Sequence, residues 1–415
     1  MSDNPRVAVV AGARTPFAKA GAQLRTHRAL DLGTHAVDGL LDRADIDPNI
    51  VDTLVFGIVV VDARVPHLAR EVNFRSRLPD STRSLTITDN CITSASGIEL
   101  VVDAIRAGRA EVGIAGGVDS MSNPSILMSK RASSVFLQAA AARSLGDRLK
   151  VFSKLRPKDL IPQAPGVTEP STGLSMGEHC ELMVKEWKIS RQEQDEIAYR
   201  SHMSAAAATA DGRLIAEIVP LDGIDRDTMI RSDTTMEKLA ELRPVFDPTP
   251  SGTLTAGNSS PLTDGAAAVL LMSEDRARAE GREPLAFVRD VEFVGIDPAD
   301  GLLMGPGVAV PRLLRRTGLD LDDMDIVEMH EAFGGQVACN LAAWEQGWQE
   351  PPIGKLDRTR LNPLGSSISV GHPFAATGAR IITTLANEMA RRDARYGLVS
   401  ICGAGATAAA LILER

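Results

Sequence analysis

Short apolar runs and amphipathic segments alternate along the first part of the chain. The apolar runs predict three buried strands, at 6–11, 51–57 and 112–117. Apolar residues at helical spacing predict helices at 30–41 and between residues 91 and 108. Because strands alternate with helices, this part of the chain is predicted to form an α/β sheet that helices cover on both faces.

The alternation stops between residues 118 and 252. This segment contains several prolines and two helical stretches, of which the clearer runs from Ser190 to Ala208. Ser190 suits the N-cap of that helix, and Glu193 occupies the capping-box position. We therefore predict an insertion that carries its own small helical domain.

The last third of the chain repeats the order of elements in the first part. The matching patterns pair residues 285–291 with 6–11, 310–317 with 30–41, 322–328 with 47–54, 397–402 with 112–117, and 408–414 with 266–272. The simplest architecture is two duplicated βαβαβ-type halves, the first of them interrupted by the insertion. The predicted domains are an N-terminal half (1–120 with 252–280), an inserted loop domain (121–251) and a C-terminal half (281–415).

Composition and charge exclude several classes of function. The net charge of −9 and the pI of about 5.4 argue against nucleic-acid binding, which needs a basic face. The four cysteines form no C-x-x-C pair, so neither a zinc site nor a disulfide framework is predicted. The N-terminal residues show no signal or transit character, and no apolar run reaches the length of a membrane span. A cytoplasmic location is therefore expected.

Cys91 is the first candidate for chemistry. It lies where an apolar run, Leu85 to Thr88, gives way to a helical pattern, so it is predicted on a strand-to-helix turn. The free N–H groups and the positive end of a helix dipole stabilise a thiolate there, and we expect them to lower the pKa of the thiol. The alternative for Cys91 alone is a packed structural cysteine.

The duplication predicts which residues join Cys91. Cys91 and the loop Gly371-His372-Pro373 occupy equivalent places in the two halves, so a pseudo-two-fold axis brings them together. His330 follows a predicted strand and Cys402 ends another, and such strand ends are where α/β proteins place their sites. A cysteine with a histidine is a nucleophile with a base, and a second cysteine can move a proton to or from carbon. Small residues after Cys402 let backbone N–H groups approach a substrate oxygen.

The chain resembles the thiolase family from end to end. The stretches that carry the resemblance are Ala11-Gly-Ala-Arg-Thr-Pro-Phe17, Asn90-Cys91, Gly116-Gly-Val-Asp-Ser-Met-Ser122, Ser171-Thr-Gly-Leu-Ser-Met-Gly177, Ser190-Arg-Gln-Glu-Gln-Asp195, Ser251-Gly-Thr-Leu-Thr-Ala-Gly-Asn-Ser-Ser260, Asp264-Gly-Ala-Ala-Ala268, Met304-Gly-Pro306, His330-Glu-Ala-Phe333, Gly371-His-Pro373 and Cys402. Most thiolases have Asn where this chain has His330. That histidine, together with Gly371-His-Pro-Phe-Ala-Ala-Thr-Gly-Ala-Arg380 and the stretch from Leu160 to Thr172, resembles the thiolase (β) subunit of the fatty-acid oxidation trifunctional complex, in its bacterial anaerobic-type form.

The resemblance implies a role for each residue of the site. Cys91 attacks the 3-keto carbon of a 3-ketoacyl-CoA, and His372 activates it. His372 and His330 form a first oxyanion site, while the backbone N–H groups of Cys91 and Ala404 form a second. Cys402 protonates the departing acetyl-CoA enolate, or deprotonates acetyl-CoA in the reverse direction.

The resemblance also implies the ligands and the partners. Ser251, Met176, Met304 and Phe333 match positions that line the pantetheine arm of CoA. CoA is a substrate, and no metal or redox cofactor is expected. The expected partners are CoA thioesters, further copies of the chain in a homodimer or homotetramer, and a hydratase–dehydrogenase α-subunit.

The activity that the resemblance implies is a degradative 3-ketoacyl-CoA thiolase of fatty-acid β-oxidation. An acetoacetyl-CoA-forming biosynthetic thiolase is an enzyme alternative. A decarboxylating ketoacyl synthase of the same fold is disfavoured, since its Cys-His-His triad lacks a second cysteine. The non-enzyme alternative is a thiolase-like binding or scaffold protein. It is suggested by Ala406 and Ala408, which replace glycines of the usual tail.

A basic stretch between Arg143 and Lys158 stands out in an acidic chain. Six basic residues face a single acid, Asp147, and apolar residues are interleaved with them. We predict an amphipathic hairpin that docks on an anionic membrane surface or on an acidic partner subunit. The alternative is a solvated face whose apolar residues are core anchors.

Overall fold

The fold is seen in a computed structural model that describes residues 5–162, 166 and 168–415. The predicted domains 1–120 and 121–251 include residues 1–4, 163–165 and 167, which lie outside this description. The strands are β1 (Val7–Arg14), β2 (Ala18–Lys19), β3 (Thr53–Gly57), β4 (Arg83–Ile87), β5 (Val112–Asp119), β6 (Thr263–Ser273), β7 (Ala286–Gly295), β8 (Ile326–Met329), β9 (Tyr396–Gly403) and β10 (Thr407–Glu414).

The helices lie between these strands and in the inserted segment. They are α1 (Ala29–Ala44), α2 (Leu68–Arg75), α3 (Thr93–Arg106), α4 (Lys130–Ala141), α5 (Leu145–Phe152), α6 (Met176–Glu186), α7 (Arg191–Ala210), α8 (Met236–Ala240), α9 (Glu274–Ala279), α10 (Pro306–Thr317), α11 (Gly334–Gln346), α12 (Ser367–Val370) and α13 (Thr377–Arg392).

One sheet runs through both halves in the order β4-β3-β5-β6-β1-β7-β10-β9-β8, and the short β2 pairs with β6. The order on one side of the β1–β7 contact mirrors the order on the other, as a duplication requires. The two halves join where β1 and β7 pair antiparallel, with Val7 opposite Val288. Val327 of β8 forms an isolated bridge with Leu361. This bridge occupies the position beside β8 that β4 occupies beside β3. The predicted fold class is confirmed.

Side chains of β1 alternate between two cores, which explains why helices cover both faces of the sheet. Val7 and Val9 pack with residues of α3 and α13, whereas Ala8 and Val10 pack with residues of α1. The helices α3 and α13 pack against each other, and a Cβ on Gly378 would come within 2.7 Å of the backbone nitrogen of Ala95. This close approach brings together the two loops that precede the helices.

The inserted segment is helical, but its described residues form five α-helices rather than two. Ser190 caps α7 by accepting a hydrogen bond from the Glu193 backbone N–H. The Glu193 side chain forms an ion pair with Arg358, 2.7 Å away. Helices α6 and α7 pack on α11 of the C-terminal half, whereas α4 and α5 pack mainly on each other. Among the described residues, no helix is long and apolar enough to cross a membrane.

Candidate active site

Cys91 lies in a 3₁₀ turn, Asn90–Ile92, between β4 and the start of α3. The backbone of Asn90 is left-handed, with φ of 48°, a conformation that asparagine adopts more readily than most residues. The Asn90 side-chain amide donates to the carbonyl oxygen of Ala404 at 2.9 Å. This hydrogen bond holds the turn that carries Cys91 against the loop that follows β9.

The imidazole of His372 faces the thiol of Cys91. Its Nε2 lies 3.2 Å from Sγ of Cys91, and its Nδ1 lies 2.6 Å from Oγ1 of Thr377. The Thr377 hydroxyl also lies 3.1 Å from the carbonyl oxygen of Pro373. A carbonyl oxygen can only accept, so Thr377 donates to Pro373 and accepts from the Nδ1–H of His372. The lone pair on Nε2 of His372 is therefore the one that faces the thiol.

Burial sets the protonation states of this pair. Burial raises the pKa of the Cys91 thiol to about 12, and the backbone N–H groups of Ala404 and Cys91 offset only part of that rise. Burial and the nearby Arg380 lower the pKa of His372 to about 3. The expectation of a lowered thiol pKa is wrong, because desolvation outweighs the helix terminus. The resting pair is a neutral thiol and a neutral imidazole.

His330 follows β8 and lies beside His372, with 4.1 Å between the two ring centroids. The ring is fully buried, and its Nδ1 lies 2.7 Å from Oγ of Ser367. Burial, together with His372 and Arg380, holds the pKa of His330 well below its usual value. Its Nε2 has no hydrogen-bond partner among the described residues. A buried polar atom without a hydrogen bond costs free energy, and a substrate oxygen at this position would supply the missing hydrogen-bond partner.

Cys402 lies near the end of β9 and is 1% exposed. Burial raises the pKa of its thiol well above the usual value, and the nearby Cys91 adds to the rise. The side chain belongs to a buried apolar cluster that also contains Met304 and Phe333. A neutral thiol in such surroundings can give a proton to carbon or take one from it.

The turn between β9 and β10 contains Ala404, Gly405 and Ala406. The N–H of Ala404 faces Sγ of Cys91, and the N–H of Gly405 donates to a carboxylate oxygen of Glu169 at 2.8 Å. Ala406 has φ of 55°, so one of the two alanines in the tail occupies a left-handed position that favours glycine.

Ala408, the other alanine of the tail, lies in the regular part of β10. A Cβ built on Gly305 would come within 2.6 Å of the Ala408 methyl. The Ala408 methyl therefore packs against Gly305, which has no side chain there. The backbone of Ala408 is that of a regular strand and is not strained.

Three of the four residues predicted to line the CoA arm lie in one place. Met304 and Phe333 belong to the buried cluster that contains Cys402, and Met176 packs against that cluster. Ser251 is exposed on a separate loop, where its hydroxyl lies 3.2 Å from a carboxylate oxygen of Asp247. The structure does not bring Ser251 into the cluster.

The site also contains a group of atoms with metal-ligand chemistry. Sγ of Cys91 and ring nitrogens of His330 and His372 lie within 4.8 Å of one another. One thiolate and two imidazoles are donors that Zn²⁺ accepts. The 3.2 Å contact between Cys91 and His372 is also the hydrogen-bond distance that a nucleophile and its base require. The absence of a bound metal remains a prediction.

The residues that hold the two imidazoles were not predicted from the sequence. Thr377 begins α13 five residues after His372, and a hydroxyl so close in sequence to a candidate catalytic histidine is a readable signal. Ser367 contacts His330, and Arg380 contacts Ser367, only through the tertiary fold. No local pattern marks either of them.

Comparison with known proteins shows the family of the chain. The family profile described as "Thiolase, N-terminal domain" matches residues 7–275, and "Thiolase, C-terminal domain" matches residues 282–415. A 3-ketoacyl-CoA thiolase of Colwellia psychrerythraea is 43% identical over 426 aligned positions, which cover 100% of this chain and 98% of the relative.

Solved structures show the same similarity. A human mitochondrial 3-ketoacyl-CoA thiolase in complex with CoA has a TM-score of 0.85 and 31% identity, with 99% of this chain and 98% of that chain covered. An acetyl-CoA acetyltransferase of Bacillus anthracis has a TM-score of 0.86 and 29% identity, with 99% of both chains covered. Two family profiles that together span the chain, and a relative of this identity along its whole length, lead to one conclusion: the chain belongs to the thiolase family.

Proposed function

We propose that this protein is a 3-ketoacyl-CoA thiolase of fatty-acid β-oxidation, an acetyl-CoA C-acyltransferase. It cleaves a 3-ketoacyl-CoA with free CoA to give acetyl-CoA and an acyl-CoA that is two carbons shorter. The observation that carries the proposal is the contact of 3.2 Å between Cys91 and His372, beside the orphaned Nε2 of His330. The relatives named above support the choice of reaction.

The first step forms an acyl-enzyme. His372 Nε2 takes the proton of the Cys91 thiol while Sγ attacks the C3 carbonyl carbon of the substrate. The carbonyl oxygen gains negative charge, which an N–H on Nε2 of His330 stabilises. When the C2–C3 bond breaks, its electrons leave with the acetyl-CoA part as an enolate. The shortened acyl group stays on Sγ.

The second step gives the enolate a proton. Cys402 lies buried in the same site, and its raised pKa keeps its thiol protonated. Its S–H delivers a proton to C2, and acetyl-CoA leaves. The thiol of an incoming CoA returns the proton to Cys402 and attacks the acyl-Cys91 thioester. Transfer of the acyl group to CoA, with the proton held by His372 returned to Cys91, restores the enzyme.

In this proposal CoA is a substrate, and no metal or redox cofactor takes part, because CoA itself carries the acyl group. Met176, Met304 and Phe333 line its pantetheine arm. Ser251 lies on a separate loop outside this cluster, so its place on the arm stays a prediction from the resemblance. The reaction takes place in the cytoplasm. The test is kcat/KM for thiolysis of acetoacetyl-, medium-chain and long-chain 3-ketoacyl-CoA. A degradative enzyme prefers the longer substrates, and a protein that turns over none of them is a binding or scaffold protein.

A biosynthetic thiolase that condenses two acetyl-CoA molecules is the second candidate. The similarity to an acetyl-CoA acetyltransferase of known structure favours it, and the same four side chains run the reaction in either direction. It predicts that only acetoacetyl-CoA is cleaved well. The chain-length series therefore separates the two candidates.

We also propose that the protein is a homodimer or homotetramer. The strand β4 lies at one end of the sheet, and its outer edge pairs with no other described strand. Leu85, in the middle of β4, is exposed. Light scattering coupled to gel filtration measures the mass, and Leu85→Lys should shift it towards the monomer because an edge lysine opposes strand pairing.

The hairpin of α4 and α5 is our proposed surface for a further partner. Leu145 and Leu149 on α5 are 75% and 62% exposed, so they are not the core anchors of the alternative interpretation. Six exposed basic residues surround them, and none forms an ion pair with a described residue. They are Arg143, Arg148, Lys150, Lys154, Arg156 and Lys158. An exposed apolar face with unpaired positive charge suits an anionic membrane or an acidic α-subunit.

Two assays decide between these partners. Co-sedimentation with vesicles should need anionic lipid, fall with salt and weaken when Lys150, Lys154 and Arg156 are changed to Glu. Pull-down with a cognate hydratase–dehydrogenase subunit tests the other partner with the same variant. A charge-reversed protein that matches wild type in both assays would show that the hairpin is only a solvated face.

A further inference from the structure

Arg380 makes an unusual contact close to the active site. Its guanidinium is buried, and Nη2 lies 2.9 Å from Oγ of Ser367 and 3.1 Å from Oγ of Ser366. A guanidinium has only donors, so both serine oxygens accept from it. Of the two serines, only Ser367 also contacts His330, at 2.7 Å from Oγ to Nδ1.

The Ser367 hydroxyl has one hydrogen-bond acceptor among the described residues. Among the described residues, the only polar contacts of its Oγ are Arg380, which donates, and Nδ1 of His330. Ser367 therefore donates to Nδ1. A neutral imidazole that accepts on Nδ1 carries its hydrogen on Nε2. The orphaned Nε2 of His330 is then a donor that points away from Ser367.

We propose that Ser367 and Arg380 are positioning residues that hold His330 in the Nε2–H tautomer. In this form His330 donates to the carbonyl oxygen that gains charge when Cys91 attacks. The contact of His330 with a substrate oxygen rests on the proposed thiolase function, whereas the tautomer of His330 does not.

The neighbouring imidazole shows the opposite arrangement. Thr377 donates to a backbone carbonyl and so accepts from His372, which places the hydrogen of His372 on Nδ1. Ser367 accepts from Arg380 and so donates to His330. Two hydroxyls thus give two adjacent imidazoles opposite tautomers, one a base towards the thiol and the other a donor towards the substrate. If His330 took the tautomer of His372, its lone pair would repel the developing oxyanion.

The tautomer can be measured without any assay of activity. The chain has seven histidines, so the protein labelled with ¹⁵N-histidine gives few signals, and His330→Asn identifies the one in question. The proposal predicts a protonated Nε2 and an unprotonated Nδ1 for His330. The reverse pattern, or a charged ring at neutral pH, would overturn it whether or not the protein is a thiolase.

Kinetics of four variants test the consequence for catalysis. Ser367→Ala removes the donor to His330, while Ser366→Ala, the matched control, removes the other serine contact of Arg380 and leaves His330 untouched. We expect Ser367→Ala to lower kcat about fivefold, the effect of one buried hydrogen bond, with little change in KM. Ser366→Ala should change kcat less than about twofold, because Ser366 contacts Arg380 but not His330.

The decisive comparison repeats Ser367→Ala in a His330→Asn background. An Asn amide donates without any tautomer to be set, so there Ser367→Ala should cost less than about twofold. An equal loss in both backgrounds, or an equal loss in Ser366→Ala, would show that Ser367 only supports the fold and would overturn the proposal. If wild type cleaves no 3-ketoacyl-CoA, the thiolase function fails and the NMR result alone decides the tautomer.

Discussion

The hydroxyl of Thr377 lies 2.6 Å from Nδ1 of His372 and 3.1 Å from the carbonyl oxygen of Pro373. This pair of contacts makes the hydroxyl an acceptor towards the imidazole. It keeps the lone pair on Nε2 of His372 towards Cys91, where a neutral base is needed. Thr377 begins α13, so the base is oriented by the first residue of the helix that crosses α3.

Replacement of Thr377 tests this orientation. Thr377→Val keeps the shape but removes the acceptor, and we expect kcat/KM to fall about tenfold, in the range that one buried hydrogen bond supplies. Thr377→Ser keeps the hydroxyl and should retain most of the activity. The measurement is steady-state thiolysis of a medium-chain 3-ketoacyl-CoA. Similar rates for Val and Ser variants would mean that Thr377 does not orient the base.

The neutral thiol of Cys91 predicts an unusual pH dependence of alkylation. With the pKa of Cys91 raised to about 12 and that of His372 lowered to about 3, the thiolate fraction rises with pH throughout the accessible range. The rate of iodoacetamide modification at Cys91 should therefore rise about tenfold per pH unit between about pH 7 and pH 9, without a plateau. A preformed thiolate–imidazolium pair would instead give a rate independent of pH in that range. Cys91→Ser supplies the background from the other cysteines.

The two alanines of the tail predict opposite effects on stability. Ala406 has φ of 55°, and relief of about 1–2 kcal/mol of left-handed strain exceeds the roughly 0.4–1 kcal/mol that a new glycine gives to the unfolded state. Ala406→Gly should therefore raise the urea midpoint slightly. Ala408→Gly should lower it, because Ala408 lies in β10 and packs on Gly305. Shifts of the same sign would contradict this account of the tail.

Cys402 is predicted to move the proton at C2 of acetyl-CoA. Cys402→Ala should lower exchange of the C2 protons with deuterium oxide by about 10²–10⁴-fold, the usual contribution of a general acid–base group. Acyl transfer from a simple acyl-CoA to Cys91 should fall much less, because that step breaks no carbon–carbon bond. Undiminished exchange in the variant would remove Cys402 from this role.

Much of the fold could be predicted from the chain because its signals are local or repeated. No tertiary information was needed to predict β1, β3 and β5 from their apolar runs, or to match the sequence of β10 with that of β6. The same duplication predicted that Cys91 and the loop at His372 would meet. The described residues between 121 and 251 form more helices than the two predicted, because α5 and α8, with eight and five residues, are too short to show a clear helical period.

The electrostatics of the site could not be predicted in this way. The helix start at Cys91 predicted a lowered thiol pKa, but burial raises it, and the residues that face Cys91 include His372, which is 281 residues away in the chain. Ser367 likewise reaches His330, and Arg380 reaches Ser367, only through the tertiary packing of their helices. Charge, burial and tautomer depend on the complete fold, whereas strand and helix positions depend mostly on neighbours in sequence.

The most direct test is to trap the acyl-enzyme. Wild-type protein is mixed with 3-ketooctanoyl-CoA without free CoA, quenched in acid and digested for mass spectrometry. The account predicts a hexanoyl group on the peptide that contains Cys91, and none in Cys91→Ser. An acyl group on Cys402 or elsewhere in wild type, or none at all, would contradict the central claim that Cys91 is the nucleophile.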